Sequence, residues 1–269
     1  MAKPLVPDDL WHSIEPLLPA PKPRRFRFPG RQPIDDRTVL TGILCVLKPG
    51  IPWADFPGEL GCCGMSLHKR LSQWQRLGVW DAIHRRLLDQ LRGIAKIDCS
   101  RVVVDSASVR AVHGGGKTGP SPVARRKVGT KHPLVVEAGG VPLATRQPGA
   151  QPHAVNQLLP LVEAIAPIRG PVGAPLRKPQ RVMGDRGYDS EPHRMALAAR
   201  GIATHIAQPN TAHGSGLGRY RYVVEQTIAL LHQMRRLRTR FEKRDDIHQA
   251  RMTLGCARIC HNRLTSSFI

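Results

Sequence analysis

The sequence predicts an α/β protein, with an all-helical region over residues 1–95 and a region of interleaved strands and helices over residues 96–269. Three observations predict it. Apolar residues recur at helical spacing as far as Leu91; a β-branched run follows; and strand and helix signals then alternate almost to the last residue.

In the first region, Leu10, Trp11, Ile14 and Leu17 form one apolar face that Pro19 ends. Residues 20–33 read as a Pro- and Arg-rich connector. A second helix starts at the Asp35-Asp36 cap, carries Val39, Leu40, Ile43, Leu44 and Leu47, and stops at Pro49-Gly50. Helices over residues 66–77 and 80–91 complete the region, and residues 94–98 mark the boundary. Past it, residues 101–107 (RVVVDSA) form a buried strand, and residues 113–131 a Gly-rich basic loop. Residues 134–136 and 141–144 flank Gly139-Gly140 as a hairpin. A helix over 156–164, a strand over 182–185, a helix over 193–200 and a strand over 203–207 follow. A long helix over 222–237 and a last one over 247–264 close the order.

Lys and Arg number 41 against 20 Asp and Glu, a net charge of +21 with a pI near 10.9. Such an excess calls for a polyanionic partner, nucleic acid before an acidic protein or a membrane surface. No run reaches the ~20 apolar residues that cross a bilayer, and the start has no apolar core of a signal peptide. The expected location is the cytoplasm. The six cysteines include no CxxC pair and read as buried small residues in a reducing compartment, rather than as zinc ligands with His261.

Three acids stand where acids are expensive. Asp105 interrupts a Val-rich strand, Asp185 closes another, and Glu225 lies among Val223, Val224, Ile228 and Leu230 on a helix. Each alone reads as a salt-bridged or capping residue. Together, two strand ends and a helix can build an all-oxygen site for hard divalent cations. Two such ions ~3.5–4 Å apart serve an in-line phosphodiester displacement. Arg221, Glu225, His232 and Arg236 recur at i, i+4, i+11 and i+15, one face of the long helix, where the cations could grip phosphate or simply be solvated.

The helix over 66–77 follows residues 59–65 as the second helix of a helix-turn-helix-like unit. Leu67, Leu71 and Trp74 would pack inward, leaving His68, Lys69, Ser72, Gln73 and Arg76 to a DNA groove. The alternative is an ordinary amphipathic core helix. In the connector, Lys22, Arg24, Arg25, Arg27 and Arg31 meet no acid before Asp35. That arm could track phosphate, enter a minor groove, or be a solvated linker. Gly114 to Thr118 hints at a phosphate loop. Ala111 replaces its first glycine, however, and Gly119-Pro120 stands where a helix should start, so no nucleotide cofactor is expected. Lys117, Arg125, Arg126, Lys127 and Lys131 suit a basic loop lying over a DNA backbone.

The blocks VVVDSASVRA, KHPLVVEAGGVPLA, MGDRGYDSEPHR and HGSGLGRYRYVVEQTIALLHQMRRLRTRFEKR, with LWHSIEPLLP and DDRTVLTGILCVLKPGIPWADFP before them, resemble bacterial insertion-sequence transposases of the DDE type. The likeness is greatest to the insertion-sequence-five family and runs nearly end to end. The resemblance implies a ribonuclease-H-like catalytic domain, with Asp105, Asp185 and Glu225 as catalytic residues and ligands of two Mg²⁺ ions that Mn²⁺ can replace. It also implies recognition of transposon ends, nicking of those ends, joining of the freed 3′-hydroxyl to target DNA, and a homo-oligomer on double-stranded DNA. The family signature puts Tyr seven residues before the Glu and Lys seven after; here Gly218 and His232 occupy those places, while Arg221 matches. Relatives usually read His-Asp where this chain has His153-Ala154, and Val-Asp where it has Val136-Glu137. Two other readings compete: a DNA-binding relic without catalysis, and a metal-dependent nuclease that does not join strands.

Overall fold

A computed structural model describes residues 4–21, 23, 26–30, 32–121, 126–148, 153–207 and 218–265. The helical region contains α1 (Asp8–Ile14), α2 (Asp36–Leu47), α3 (Gly64–Arg76) and α4 (Val79–Gly93). Asp35 caps α2 by accepting the Thr38 N–H at 2.8 Å, as its position before the apolar run demanded. Gly78, in the left-handed conformation at φ 71°, turns the chain between α3 and α4. Leu67, Leu71 and Trp74 of α3 are fully buried, and the Trp74 and Trp80 rings meet edge to face at 5.3 Å.

Residues 59–65 do not supply the first helix of a helix-turn-helix. They hold the end of a single 3₁₀ turn (Gly58–Leu60), the left-handed Gly61 and the start of α3 itself. The 16 residues between α2 and α3 are far more than the roughly 3–4-residue turn of that motif.

The strands of the sheet are β1 (Val102–Arg110), β2 (Gly119–Pro120), β3 (Val128–Glu137), β4 (Pro142–Thr145), β5 (Arg181–Gly184) and β6 (Ala203–Ile206). Their order is β2-β3-β1-β5-β6, with β4 also paired to β3. β1 and β3 are antiparallel from Val102↔Glu137 to Arg110↔Gly129, whereas β1, β5 and β6 run parallel. The expected loop over 113–131 is therefore shorter, because β3 begins at Val128. Its basic, hydroxylic first half is held by the ladder to β1 rather than by apolar pattern. The hairpin of β3 and β4 turns at Gly140, φ 86°. Glu137, buried at the strand end, accepts the N–H groups of Val141 at 2.8 Å and Asp98 at 3.1 Å.

Helices α5 (Leu158–Glu163) and α6 (Glu191–Ala199) accompany the sheet, and α7 (Gly218–His232) packs against β1 and β3. The single helix expected over 222–237 is two. Met234 leaves helical geometry at ψ 105°, and α8 (Arg235–Arg238) starts with the Arg235 N–H donating to the Lys48 carbonyl at 3.0 Å. The docking of α8 on the end of α2 breaks the helix there.

The last helix, α9 (Asp245–Thr265), packs against α3, α4, β4 and α7. One apolar cluster consequently runs from Val6 to Cys260, through both regions. Of the cysteines, Cys62, Cys256 and Cys260 are buried as expected, whereas Cys63 is exposed at the start of α3. Among the described residues no helix is long and apolar enough to cross a membrane.

Candidate active site

Two strands place the two aspartates. The parallel register pairs Val102 with Val182 and Val103 with Met183, and continuing it by two residues brings Asp105 beside Asp185. Side chains at matched positions of neighbouring parallel strands leave the same face. Asp105 accepts its neighbour Ser106 N–H at 2.7 Å and is 17% exposed. Burial pushes its carboxyl pKa up; the Ser106 N–H and Arg221 pull it back, and the charge of Asp185 adds to the rise. Asp185 caps the turn that follows β5, accepting the Gly187 N–H at 3.0 Å.

From α7, Arg221 reaches toward this pair. Its Nη2 lies 3.5 Å from Asp105 Oδ2 and 4.0 Å from Glu225 Oε1, one helical turn on. Its Nε is buried and has no hydrogen-bond partner among the described residues. Glu225 was expected to be buried among apolar neighbours, but its side chain is 64% exposed; the apolar stripe of α7 belongs to Val223, Val224 and Leu231.

Tyr188 escaped the sequence reading. It is buried within reach of the charges of Asp105, Asp185 and Arg221, and burial pushes its hydroxyl pKa up. The only signal was its place three residues after Asp185. Ala154 lies beside the same turn, since a Cβ placed on Gly187 would stand 3.6 Å from the Ala154 Cβ.

The donor set suits a hard cation in part. Asp105 and Asp185 offer only oxygen donors, and a divalent ion between them would relieve their mutual repulsion. Glu225 does not close the set in this arrangement: among the described residues no three acidic, histidine or cysteine side chains gather around one ion position. Arg221 stands between it and Asp105.

Other expected binding residues scatter. Lys69 and Arg76 are exposed on α3 and Gln73 is partly so. With His68 and Arg70 they line an 820 Å³ groove whose other wall is Pro19 to Pro21 and Pro33 to Asp36. Ser72 lines the same groove from deeper in its wall, at 8% exposure. His68 is half-buried, edge-on to Trp53 at 5.6 Å, and burial lowers its pKa.

Arg236 is not on the DNA-facing surface where its spacing placed it. It is 6% exposed and donates to the Ile51 carbonyl at 2.7 Å, with Glu242 3.7 Å away, so no DNA phosphate can reach it. The break before α8 also takes it off the face that carries Arg221. His232 ends α7 half-buried, its ring 5.7 Å from that of His132. Lys117 pairs with Asp245 at 3.0 Å, and buried Arg240 holds the Gly116 carbonyl at 2.7 Å. These contacts tie the glycine loop to the protein rather than leaving it to cradle phosphate. Arg126 and Lys127 are exposed, and Arg125 lies outside the described residues.

Comparison with known proteins identifies the family. Residues 98–260 match the family described as "Transposase DDE domain", and residues 6–84 match "Putative transposase of IS4/5 family". A Burkholderia cepacia protein, "Putative transposase for insertion sequence element IS402", is 54% identical over 164 residues, which cover 61% of this chain and 76% of that protein. A second from the same organism, "Insertion element IS402 uncharacterized 16.2 kDa protein", is 54% identical over 123 residues, 45% of this chain and 84% of the relative. With Asp105 on one strand, Asp185 just past the end of its parallel neighbour, and family matches that span most of the sequence, the chain belongs to the DDE transposases of insertion sequences.

Proposed function

We propose that this chain binds the ends of the DNA element that carries its gene, nicks them, and joins the freed 3′-hydroxyl to target DNA. The observation that carries the reading is the register-matched pair Asp105 and Asp185 under Arg221, in a chain of net charge +21. Asp105 and Asp185, joined by Glu225, would hold Mg²⁺ or Mn²⁺. An ion held there would supply activation of an attacking oxygen and stabilisation of the leaving one. Arg221 makes only long contacts to the carboxylates, so a phosphodiester can take its guanidinium with little loss. That exchange frees Glu225 to turn toward the aspartates. Tyr188 is a positioning residue behind Asp185. Lys69, Gln73 and Arg76 on α3 meet the duplex, with Arg126 as a further phosphate contact, and two copies of the chain hold two ends together. The helical residues 1–95 and the remainder act as the end-binding and catalytic parts.

The test is incubation of the protein with labelled DNA bearing its own flanking ends and Mg²⁺ or Mn²⁺. Nicked and joined products are expected, and Asp105→Asn, Asp185→Asn or Glu225→Gln should lower cleavage at least a hundredfold while retaining DNA binding. Unchanged cutting by any of these variants would overturn the assignment of that residue. Nicking without joined products would make the protein a nuclease. Ala154, at the turn beside Asp185, favours a second reading as a DNA-binding relic. Binding with no product, where an active relative works, would establish it.

A further inference from the structure

The connector before α2 carries a feature that strand transfer does not use. Phe26 and Phe28 are exposed to 102% and 78%, the first as open as a side chain can be. They alternate with arginine in a stretch that holds five cations and no acid, residues 20–33. An exposed phenyl ring is costly in water, and two in a strongly basic segment point to a partner that is both anionic and aromatic.

Position narrows that partner. The arm is anchored by Leu18 on one side and Ile34 on the other, both packed against the core. Its two bases, Pro19 to Pro21 and Pro33 to Asp36, form the wall of the groove opposite Lys69, Arg70, Gln73 and Arg76 of α3. Phe26 and Phe28 each stand five residues from the nearer base. Extended chain of that length reaches about 17 Å, more than the ~12 Å width of a major groove. A duplex seated on α3 therefore lies within range of the rings.

We propose that Phe26 and Phe28 form a base-stacking wedge, Arg27 between them taking a phosphate while a phenyl ring enters between base pairs of the DNA held by α3. The proposal rests on the end-binding reading above. Apolar wedges of this kind unstack a base step and bend the duplex, and an aromatic stacked on a base contributes ~1–3 kcal/mol.

The experiment uses the full chain and end DNA carrying 2-aminopurine at successive positions. Wild-type protein should brighten the probe several-fold at one step. Phe26→Ala with Phe28→Ala should lose that signal and bind about ten- to hundredfold more weakly, with the salt dependence unchanged because no charge is removed. Phe26→Tyr with Phe28→Tyr should keep the signal. Tight binding with no brightening at any position would overturn the wedge and leave end binding intact, as would an alanine variant equal to wild type. Loss of self-association with unstacking retained would assign the rings to a protein contact. Failure of the wild-type chain to bind its ends would overturn both readings.

Discussion

Asp105 and Asp185 illustrate how single residues enter the site. Each could be picked out because a carboxylate within or at the end of an apolar strand is expensive unless something compensates it. Their proximity depends on register: Val103 pairs with Met183, two residues before each aspartate, and the charge of Asp185 is felt at Asp105. Glu225 was recognised by the same rule and by its signature Arg221, yet it is exposed, so its cost argument did not apply. Gly64 carried no signal at all. A Cβ there would stand 1.8 Å from the Trp53 carbonyl oxygen, so the 3₁₀ turn (Trp53–Asp55) and the start of α3 can meet only over glycine. Gly64→Ala should destabilise the protein by about 2 kcal/mol or more, the scale of an overpacked core, read as a lower urea midpoint. An unchanged midpoint would mean that the turn shifts freely.

Among the elements, β3, α9 and the segment after α8 are joined by a buried polar chain. His132 Nε2 and His248 Nε2 lie 2.8 Å apart, and His248 Nδ1 is 3.5 Å from Glu242 Oε2. One ring donates from Nε2 and the other accepts there, and the His248–Glu242 approach is an ion-pair distance rather than a hydrogen bond. Glu242 also meets Arg251 at 2.6 Å, and Arg251 lies 5.3 Å over the Trp53 ring. The chain thus links the strand next to Asp105 with the helical region. Glu242→Ala would leave Arg251 and Arg236 buried without their partner and should cost about 3–5 kcal/mol, measurable by denaturant unfolding. A loss below about 1 kcal/mol would show that water enters the cluster.

Burial lowers the pKa of His132 well below its ordinary 6.5, and also lowers that of His248. The unfolded chain therefore takes up protons at a higher pH than the folded one. The stability these rings preserve is complete above about pH 6.5 and is lost as pH falls toward their folded values. Denaturant midpoints at pH 7.5 and 5.5 should differ, with the acid value lower, and His132→Gln should shrink the difference. Equal midpoints for the wild type would mean that the pair can be protonated without cost.

For the whole molecule, net charge and continuous packing matter most. With +21 charges, end binding should weaken steeply with salt, by about a thousandfold between about 50 and 200 mM if six or more phosphates are neutralised. A flat response would remove the basic surfaces as the main grip on DNA. The apolar cluster running from Val6 to Cys260 shows why a boundary at residues 94–98, legible as a change of period, does not mark a break in packing. The helix α9 returns from the far end of the sequence to cover α3 and α4.

Helices α1 to α4, the hairpin at Gly139-Gly140, strands β1, β5 and β6 and the two aspartates were all legible from apolar period, capping residues and the cost of buried charge, which are local properties. The resemblance to DDE transposases was equally legible, because several blocks stand in fixed order. Tertiary contacts decided the rest. The polar half of β3 is held by backbone pairing that side-chain pattern does not report. A bond from Arg235 to Lys48 splits the long helix and takes Arg236 into the interior, beside Glu242. Whether a cation faces DNA or a buried carboxylate depends on what the fold brings against it, and neither composition nor spacing carries that information.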